Sequence, residues 1–302
     1  MQRASLTEHR GPLPEASALL QLLKPITWFP PMWAFMCGTV SSGISPLEEP
    51  LLLILGLILT GPLVCGASQV INDWFDREVD AINEPDRPIP SGRVPGSMGL
   101  YFAISWSVLC LAWAALLGYW VLLATVLGLI LAWAYSAPPL RLKLNGWWGN
   151  AAVGFSYEGL AWITGAAVML GGKMPSIEVL CLALLYSLGA HGIMTLNDFK
   201  SIDGDRALGI RSIPARYGAR FAARLACIVM VVPQLAVIAL LFTWSFTVAG
   251  YVVLALLALQ VLAMMRMLRD PRALAPWYNA TGVLLYVLGM LCSALAIGGS
   301  TL

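Results

Sequence analysis

The sequence predicts an all-α integral membrane protein, in which residues 1–302 form a single domain of nine transmembrane helices around a central cavity. Hydrophobic residues make up 59% of the chain and charged residues 11%, whereas soluble globular proteins carry about 25% charged residues. So few charges cannot cover a water-facing surface. The net charge is +2, which offers no basic surface, so we expect no nucleic-acid partner.

The nine spans follow from the apolar stretches between charged residues, because a helix that crosses the bilayer core needs about 20 mostly apolar residues. Two of these stretches are long enough for a pair of helices. The stretches are 25–47, 50–72, 94–140 (two helices, with a break near Gly118), 144–172, 179–197, 225–265 (two helices, with a hinge at 243–250) and 273–302. Residues 1–24 form an N-terminal segment, whose last part, 14–24, is expected to be an interfacial helix.

Lys and Arg predict the orientation. Of the 18 Lys and Arg residues, all except Lys173 fall in the N-terminal segment and in alternate loops. Because cytoplasmic loops are enriched in Lys and Arg, we expect the N-terminus in the cytoplasm and the C-terminus in the periplasm.

A run of acidic residues continues directly from the second span. Asn72 is followed by Asp73, Asp76 and Asp80. On a helix these three aspartates lie within an arc of about 60°, and therefore form a single stripe. Three carboxylates on one stripe repel each other unless a cation lies between them.

A similar run, 197–205, continues from the sixth span. It begins with the same Asn-Asp pair, and Asp198 and Asp205 have the spacing of Asp73 and Asp80, which predicts that they stack on one face of a helix. The match predicts two pseudo-repeated halves, with motifs at 72–80 and 197–205 that face a shared site. Oxygen ligands with positions left open for phosphate are typical of Mg²⁺, so two stripes are expected to hold two or three Mg²⁺ ions around a diphosphate. A solvated loop whose acids offset nearby arginines would explain a single motif.

A third predicted cytoplasmic loop, 135–143, supplies cations. Pro138 and Pro139 stiffen the exit from the fourth span, and Arg141 and Lys143 follow. Positive charge near a departing diphosphate stabilises the charge that develops on it. Anchoring at the cytoplasmic face would explain the same two residues.

These motifs resemble those of the UbiA superfamily of intramembrane prenyltransferases, and within it they are most similar to the chlorophyll and bacteriochlorophyll synthases, with the bacteriochlorophyll branch favoured. Residues 72–80 match the family's NDxxDxxxD motif in full. The second motif is matched at both ends, but Ser201 stands where many members have Asp. Residues 24–35 and 83–92 resemble signatures of the synthases.

The resemblance implies a Mg²⁺-dependent reaction that joins the C17 propionate of bacteriochlorophyllide a to geranylgeranyl or phytyl diphosphate and releases pyrophosphate. The acceptor carboxylate is ionised at neutral pH, its unperturbed pKa being about 4, so no general base is needed. The implied metal ligands are Asp73, Asp76, Asp80, Asp198, Asp203 and Asp205, with Asn72 orienting a ligand or water. The implied diphosphate contacts are Tyr135, Arg141 and Lys143, with Arg77, Arg87 and Lys200 as weaker candidates. Aromatic candidates for the tetrapyrrole pocket are Trp28, Phe29 and Trp33.

The resemblance also implies a bacterial inner membrane, cytoplasmic or intracytoplasmic, with the site near the cytoplasmic face. Other proteins of pigment biosynthesis or photosystem assembly are candidate partners. A transporter is the main alternative outside this class, although transport sites usually lie near the bilayer midplane. A non-catalytic pigment-carrying subunit is another. Within the class, the alternatives are a chlorophyll synthase and enzymes with quinone or haem acceptors.

Two polar residues in predicted spans lie outside these motifs. Glu158 falls within the fifth span, and an intramembrane acid is a functional-site hypothesis by default. His191 lies seven residues before Asp198. A hydrogen bond between helices is the favoured interpretation of this histidine, ahead of ligation to a pigment metal.

Overall fold

The computed structural model describes residues 14–299; residues 1–13 of the predicted N-terminal segment and residues 300–302 lie outside the described part. Within it the regular structure is helical, apart from one isolated β-bridge between Asn145 and Arg211. The α-helices are α1 (Ala16–Leu23), α2 (Phe29–Ser41), α3 (Pro50–Ile58), α4 (Gly66–Asn83), α5 (Met98–Leu117), α6 (Tyr119–Ser136), α7 (Gly146–Gly154), α8 (Ala161–Met169), α9 (Ile177–Asn197), α10 (Ile202–Ala207), α11 (Ile213–Tyr217), α12 (Ala219–Thr243), α13 (Thr247–Met267) and α14 (Pro271–Gly298).

Several short turns of other helical types connect these elements. A π-helical turn, Leu59–Cys65, joins α3 to α4, and a second, Phe155–Leu160, joins α7 to α8. Turns of 3₁₀ type cover Pro25–Thr27, Leu142–Leu144 and Asp198–Ser201. π-helical turns inside longer helices are frequent at functional sites, and both of these turns contribute side chains to the cavity described below.

Seven helices of the described chain are long and apolar enough to cross a membrane. They are Pro50–Asn83, Met98–Leu117, Tyr119–Ser136, Ile177–Ala207, Ala219–Thr243, Thr247–Met267 and Pro271–Gly298. An all-helical, multi-pass membrane protein is therefore confirmed, whereas the count of nine and the orientation of the termini stay predictions. The two remaining predicted spans correspond to α2, which has 13 residues, and to the continuous helical segment from α7 to α8.

The predicted helix breaks are confirmed. α5 ends at Leu117 and α6 begins at Tyr119, with Gly118 at a φ of +119° between them. α12 ends at Thr243 and α13 begins at Thr247, so the break between them falls within the hinge predicted at 243–250.

α2 and α8 pack closely because of two glycines. A Cβ added at Gly38 would lie 1.9 Å from the Trp162 carbonyl oxygen, and one at Gly165 would lie 2.0 Å from the Phe35 carbonyl oxygen. Small residues at such contacts let membrane helices approach backbone to backbone. The rings of Trp162 and Tyr186 stack beside this contact, with centroids 5.6 Å apart, and join α8 to α9 in a core that includes α12, α13 and α14.

The two acidic motifs differ in local structure. Residues 72–80 lie within α4, so the predicted single stripe is confirmed as helical. In the second motif α9 ends at Asn197, a 3₁₀ turn covers Asp198–Ser201, and α10 begins at Ile202. The prediction that Asp198 and Asp205 stack on one regular helix is therefore wrong, because a 3₁₀ turn rotates the chain by more per residue than an α-helix does.

Candidate active site

A cavity of about 760 Å³ lies between α2, α4, α6, the α7–α8 segment, α9 and α14. This volume is within the range of ligand pockets. Five of its polar lining residues mark the side of the cavity where Asn72 of α4 and the end of α9 lie, which we call the motif end. The lining residues of the motif end are Asn72, Tyr135, Asn197, Lys200 and Asn279. The remaining walls are mostly apolar.

The first motif is neutralised by cations from other parts of the chain. Asp73 is 2% exposed, and the Lys24 Nζ donates to its Oδ1 at 2.6 Å. The Arg87 Nη1 donates to Asp80 Oδ2 at 2.8 Å and lies 3.4 Å from Asp73 Oδ1. Although burial acts in the opposite direction, hydrogen bonds to Glu84 and the charges of Asp73 and Asp80 raise the pKa of Arg87. This arginine therefore stays charged in contact with the motif.

The third aspartate of the stripe receives the loop cations. Lys143 Nζ donates to Asp76 Oδ1, and Arg141 Nη2 lies 3.4 Å from the same oxygen. Burial lowers the pKa of Lys143, and its bond to Asp76 opposes the shift. The structure thus brings the predicted diphosphate contacts Arg141 and Lys143 to the first motif. Tyr135 lines the cavity at the end of α6.

Two of these cations have strained backbones. Lys24 has a φ of +46° and Arg141 a φ of +39°, a left-handed conformation that non-glycine residues adopt uncommonly. Such strain persists only where the surrounding structure over-determines it, and it is concentrated at functional sites.

The second motif is held by neutral donors. Asn150 Nδ2 donates to Asp198 Oδ2 at 3.2 Å. Asp205 Oδ2 accepts from the hydroxyls of Ser201 and Ser212. Ser201, which stands at a position where many UbiA members have Asp, therefore acts as a hydrogen-bond donor to a neighbouring carboxylate.

Three predicted site residues lie elsewhere. Asp203 has a side chain that is 76% exposed and pairs with Arg272, because the irregular turn before α10 directs it away from the cavity. Arg77 donates to the Trp74 carbonyl and stacks over the Trp74 ring. Trp28 is not among the lining residues; its Nε1 donates to the Leu23 carbonyl at 2.8 Å.

Four of the other predicted residues line the cavity. Phe29 and Trp33 on α2 line it, and so does Lys200. Asn72 also lines it, with its Nδ2 3.4 Å from the Ser136 hydroxyl. Arg87, a weaker candidate for the diphosphate, lies instead among the aspartates of the first motif.

The donor chemistry fits Mg²⁺, whose preferred ligands are oxygens. Asp73 Oδ2 is buried and has no hydrogen-bond partner, so it is an acceptor still open to a cation. Across residues 14–299, however, no group of three or more His, Cys, Asp or Glu residues is gathered closely enough to form a metal site. The metal ligand set therefore stays a prediction.

Three residues that contact the motifs or line the cavity are not predicted from the sequence. Lys24, which begins the 24–35 signature, contacts Asp73 of the first motif. Asn150 carries no sequence signal at all. Tyr157 accepts from Gln69 Nε2 at 3.0 Å and joins the two π-helical turns through its contact with Cys65.

Glu158 and His191 have different surroundings. Glu158 lines the cavity, is 8% exposed, and has an Oε2 atom without a hydrogen-bond partner. His191 Nε2 lies 3.2 Å from the Trp147 carbonyl oxygen, which confirms the favoured interpretation of a hydrogen bond between helices.

Comparisons with known proteins agree with this architecture. A chain named bacteriochlorophyll synthase 33 kDa chain, from Cereibacter sphaeroides, is 56% identical over 98% of this chain and 97% of its own length. The chain of the same name from Rhodobacter capsulatus is 54% identical over the full length of both. A solved structure of a UbiA homologue from Archaeoglobus fulgidus, bound to DMAPP and Mg²⁺, has a TM-score of 0.68 at 19% identity and covers 91% of this chain and 99% of its own. The profile of the UbiA prenyltransferase family matches residues 27–288. The chain therefore belongs to the UbiA prenyltransferase family.

Proposed function

We propose that the protein is a bacteriochlorophyll synthase. It esterifies the C17 propionate of bacteriochlorophyllide a with a geranylgeranyl or phytyl group taken from the corresponding diphosphate, and it releases pyrophosphate. The observation that carries the proposal is the likeness along almost the whole chain to two proteins of that name. The large, mostly apolar cavity with a polar end suits a long isoprenoid and a flat macrocycle.

The reaction needs no proton transfer. A propionate oxygen forms a bond to C1 of the isoprenoid, and the bond from C1 to the diphosphate oxygen breaks, so that pyrophosphate leaves with the electron pair. The attacking carboxylate is ionised at neutral pH. The apolar walls exclude water, which would otherwise compete with the acceptor for an allylic carbon with cation character.

Five aspartates of the two motifs, Asp73, Asp76, Asp80, Asp198 and Asp205, are the proposed metal ligands, with Asn72 orienting a ligand or water. Mg²⁺ bound there would draw negative charge from the leaving diphosphate. Asp203 is not proposed as a ligand, because it is exposed and paired with Arg272.

The loop cations have a complementary role. Lys143 and Arg141 lie against Asp76, so a diphosphate that arrives beside this carboxylate meets two positive side chains already in position. Preorganised charge of this kind stabilises the leaving group without a cost of reorientation. Tyr135 and Lys200, which line the same end of the cavity, are proposed as further diphosphate contacts.

The finer topology is also part of the proposal. We infer nine crossings of a bacterial inner membrane, with α2 and the α7–α8 segment added to the seven long apolar helices. The distribution of Lys and Arg supports a cytoplasmic motif end. Other proteins of pigment biosynthesis or photosystem assembly are proposed as partners.

Esterification in isolated membranes tests the function. The wild-type protein, given bacteriochlorophyllide a, geranylgeranyl diphosphate and Mg²⁺, is expected to form the esterified pigment. Asp76→Asn and addition of a chelator are each expected to abolish the product, whereas Glu178→Gln, an acid-to-amide change outside the cavity, is expected to retain it. If chlorophyllide is esterified and bacteriochlorophyllide is not, the acceptor assignment is wrong. If no tetrapyrrole is esterified, the synthase assignment is wrong.

A further inference from the structure

Glu158 is an acid in the cavity wall for which the steps above have no use. It lies in the π-helical turn Phe155–Leu160, and it is 8% exposed. Two other buried polar side chains in the same walls are satisfied by their own helices: the hydroxyl of Thr60 donates to Gly56 and that of Thr164 to Leu160. Glu158 Oε2, in contrast, is buried without a partner.

The surroundings of Glu158 favour an uncharged carboxylic acid. Within residues 14–299 it forms no ion pair, and a buried, unpaired carboxylate is far more costly than a buried neutral acid. A protonated carboxyl group carries an O–H donor. A buried donor left without an acceptor costs free energy. A ligand that offers an acceptor to this O–H group therefore binds more tightly than one that does not.

Only one of the two substrates offers such an acceptor at this depth. The isoprenoid tail is a hydrocarbon, whereas the macrocycle carries carbonyl groups at its periphery. Asn150, which bonds Asp198 at the motif end, precedes Glu158 by eight residues on the same helical segment. At a rise of 1.5 Å per residue, Glu158 lies about 12 Å from the motif end. A flat macrocycle whose propionate reached the motif end would extend along this wall.

The neighbouring wall suits a flat ring. α2 packs against the turn Phe155–Leu160, and Phe29 and Trp33 on α2 line the same cavity. Aromatic faces stack on planar π-systems. The acid and the two aromatic residues therefore belong to adjoining walls.

We propose that Glu158 donates a hydrogen bond to a peripheral carbonyl of the tetrapyrrole, so that the walls formed by α2 and the α7–α8 segment bind the acceptor and set its orientation. The inference rests on the proposed function, because it takes the macrocycle as the acceptor. It makes Glu158 a specificity-determining residue that binds the acceptor and takes no part in diphosphate release.

The test compares Glu158→Leu with Glu158→Gln, which keeps the size of the side chain and an N–H donor. The control variant is Glu178→Gln. Esterification is measured at varied bacteriochlorophyllide and at varied geranylgeranyl diphosphate, and pigment binding without donor is followed by its visible absorption. Glu158→Leu is expected to raise the KM and the Kd for the pigment about tenfold, which corresponds to about 1.4 kcal/mol. The KM for geranylgeranyl diphosphate is expected to stay within twofold, and Glu158→Gln to resemble the wild type.

A comparison of acceptors identifies the carbonyl. Binding to the wild type and to Glu158→Leu is measured for pigments with the 3-acetyl group replaced by vinyl, or without the ring keto group. For the pigment that lacks the bonded carbonyl, the Kd of the two proteins is expected to be the same. The proposal is overturned if Glu158→Leu changes the KM for pigment and the KM for geranylgeranyl diphosphate equally, or changes neither. It is also overturned if Glu158→Gln weakens pigment binding as much as Glu158→Leu does. If pigment binds and depends on Glu158 but no ester forms, the proposed function fails while the binding site stands. If no pigment binds, both fail.

Discussion

Removal of the Lys24 side chain is expected to destabilise the protein, because it leaves the buried carboxylate of Asp73 without its nearest cation. In Lys24→Met the Asp73 carboxylate, 2% exposed, loses a partner at 2.6 Å and keeps Arg87 at 3.4 Å. Loss of one partner from a fully buried ion pair costs about 3–5 kcal/mol. Because the Lys24 side chain is 24% exposed and Arg87 remains, we expect about 2 kcal/mol here.

Thermal unfolding of the purified protein in detergent measures this effect. A loss of about 2 kcal/mol lowers the midpoint by roughly 4–8 °C for a chain of this size. Lys173→Met is the matched control, since it removes the same side chain at an exposed position. The double variant Lys24→Met/Asp73→Asn is expected to recover most of the loss, because it leaves no unpaired buried charge.

The metal dependence of the same midpoint gives a second readout. If a cation can take the position that Lys24 leaves, Mg²⁺ is expected to raise the midpoint of Lys24→Met more than that of the wild type. A midpoint for Lys24→Met equal to that of Lys173→Met, with chelator present, would refute the reasoning. It would mean that Asp73 does not need Lys24 for its charge to be tolerated.

Three further outcomes are expected. Asp203→Asn should keep ester formation within twofold, since Asp203 is exposed and paired with Arg272; a loss as complete as that of Asp76→Asn would place it back at the site. Lys143→Met should lower kcat about 10²–10³-fold, the cost of removing one preorganised donor from a leaving group, and unchanged kcat in the esterification assay would exclude this role. Gln260→Leu should leave activity intact but lower the free energy of unfolding by about 1–3 kcal/mol, because Gln260 Nε2 donates to Tyr278 at 2.9 Å in a fully buried position. An unchanged midpoint of thermal unfolding would contradict this.

Local periodicity was sufficient to predict the first motif. The stripe at 72–80 lies on α4 because an apolar span runs directly into it, so the helical spacing of its aspartates needed no knowledge of other parts of the chain. Arg141 and Lys143 were found for a different reason. The prolines before them mark a short, stiff loop, and the structure brings that loop to Asp76.

Long-range contacts set the limit of prediction from sequence. Lys24 and Asp73 are 49 residues apart, and nothing in either segment indicates that α1 ends beside α4. Asn150 reaches Asp198 across 48 residues from a helix without a motif. The resemblance implied Asp203 as a ligand, and the sequence pattern does not indicate the 3₁₀ turn at Asp198–Ser201 that precedes this exposed residue.

The two halves that the sequence relates are unequal in charge. Around the first motif, four cations (Lys24, Arg87, Arg141 and Lys143) contact three aspartates. In the second motif the ion pair found in the described part of the chain joins the exposed Asp203 to Arg272, whereas Asp198 and Asp205 are held by amide and hydroxyl donors. A carboxylate that already has a cation must exchange it when metal and diphosphate arrive, whereas Asp198 and Asp205 have no side-chain cation within salt-bridge distance in the described chain. The same sequence pattern is therefore held in two different ways: side-chain cations lie against the aspartates of the first motif, and neutral donors hold Asp198 and Asp205 of the second.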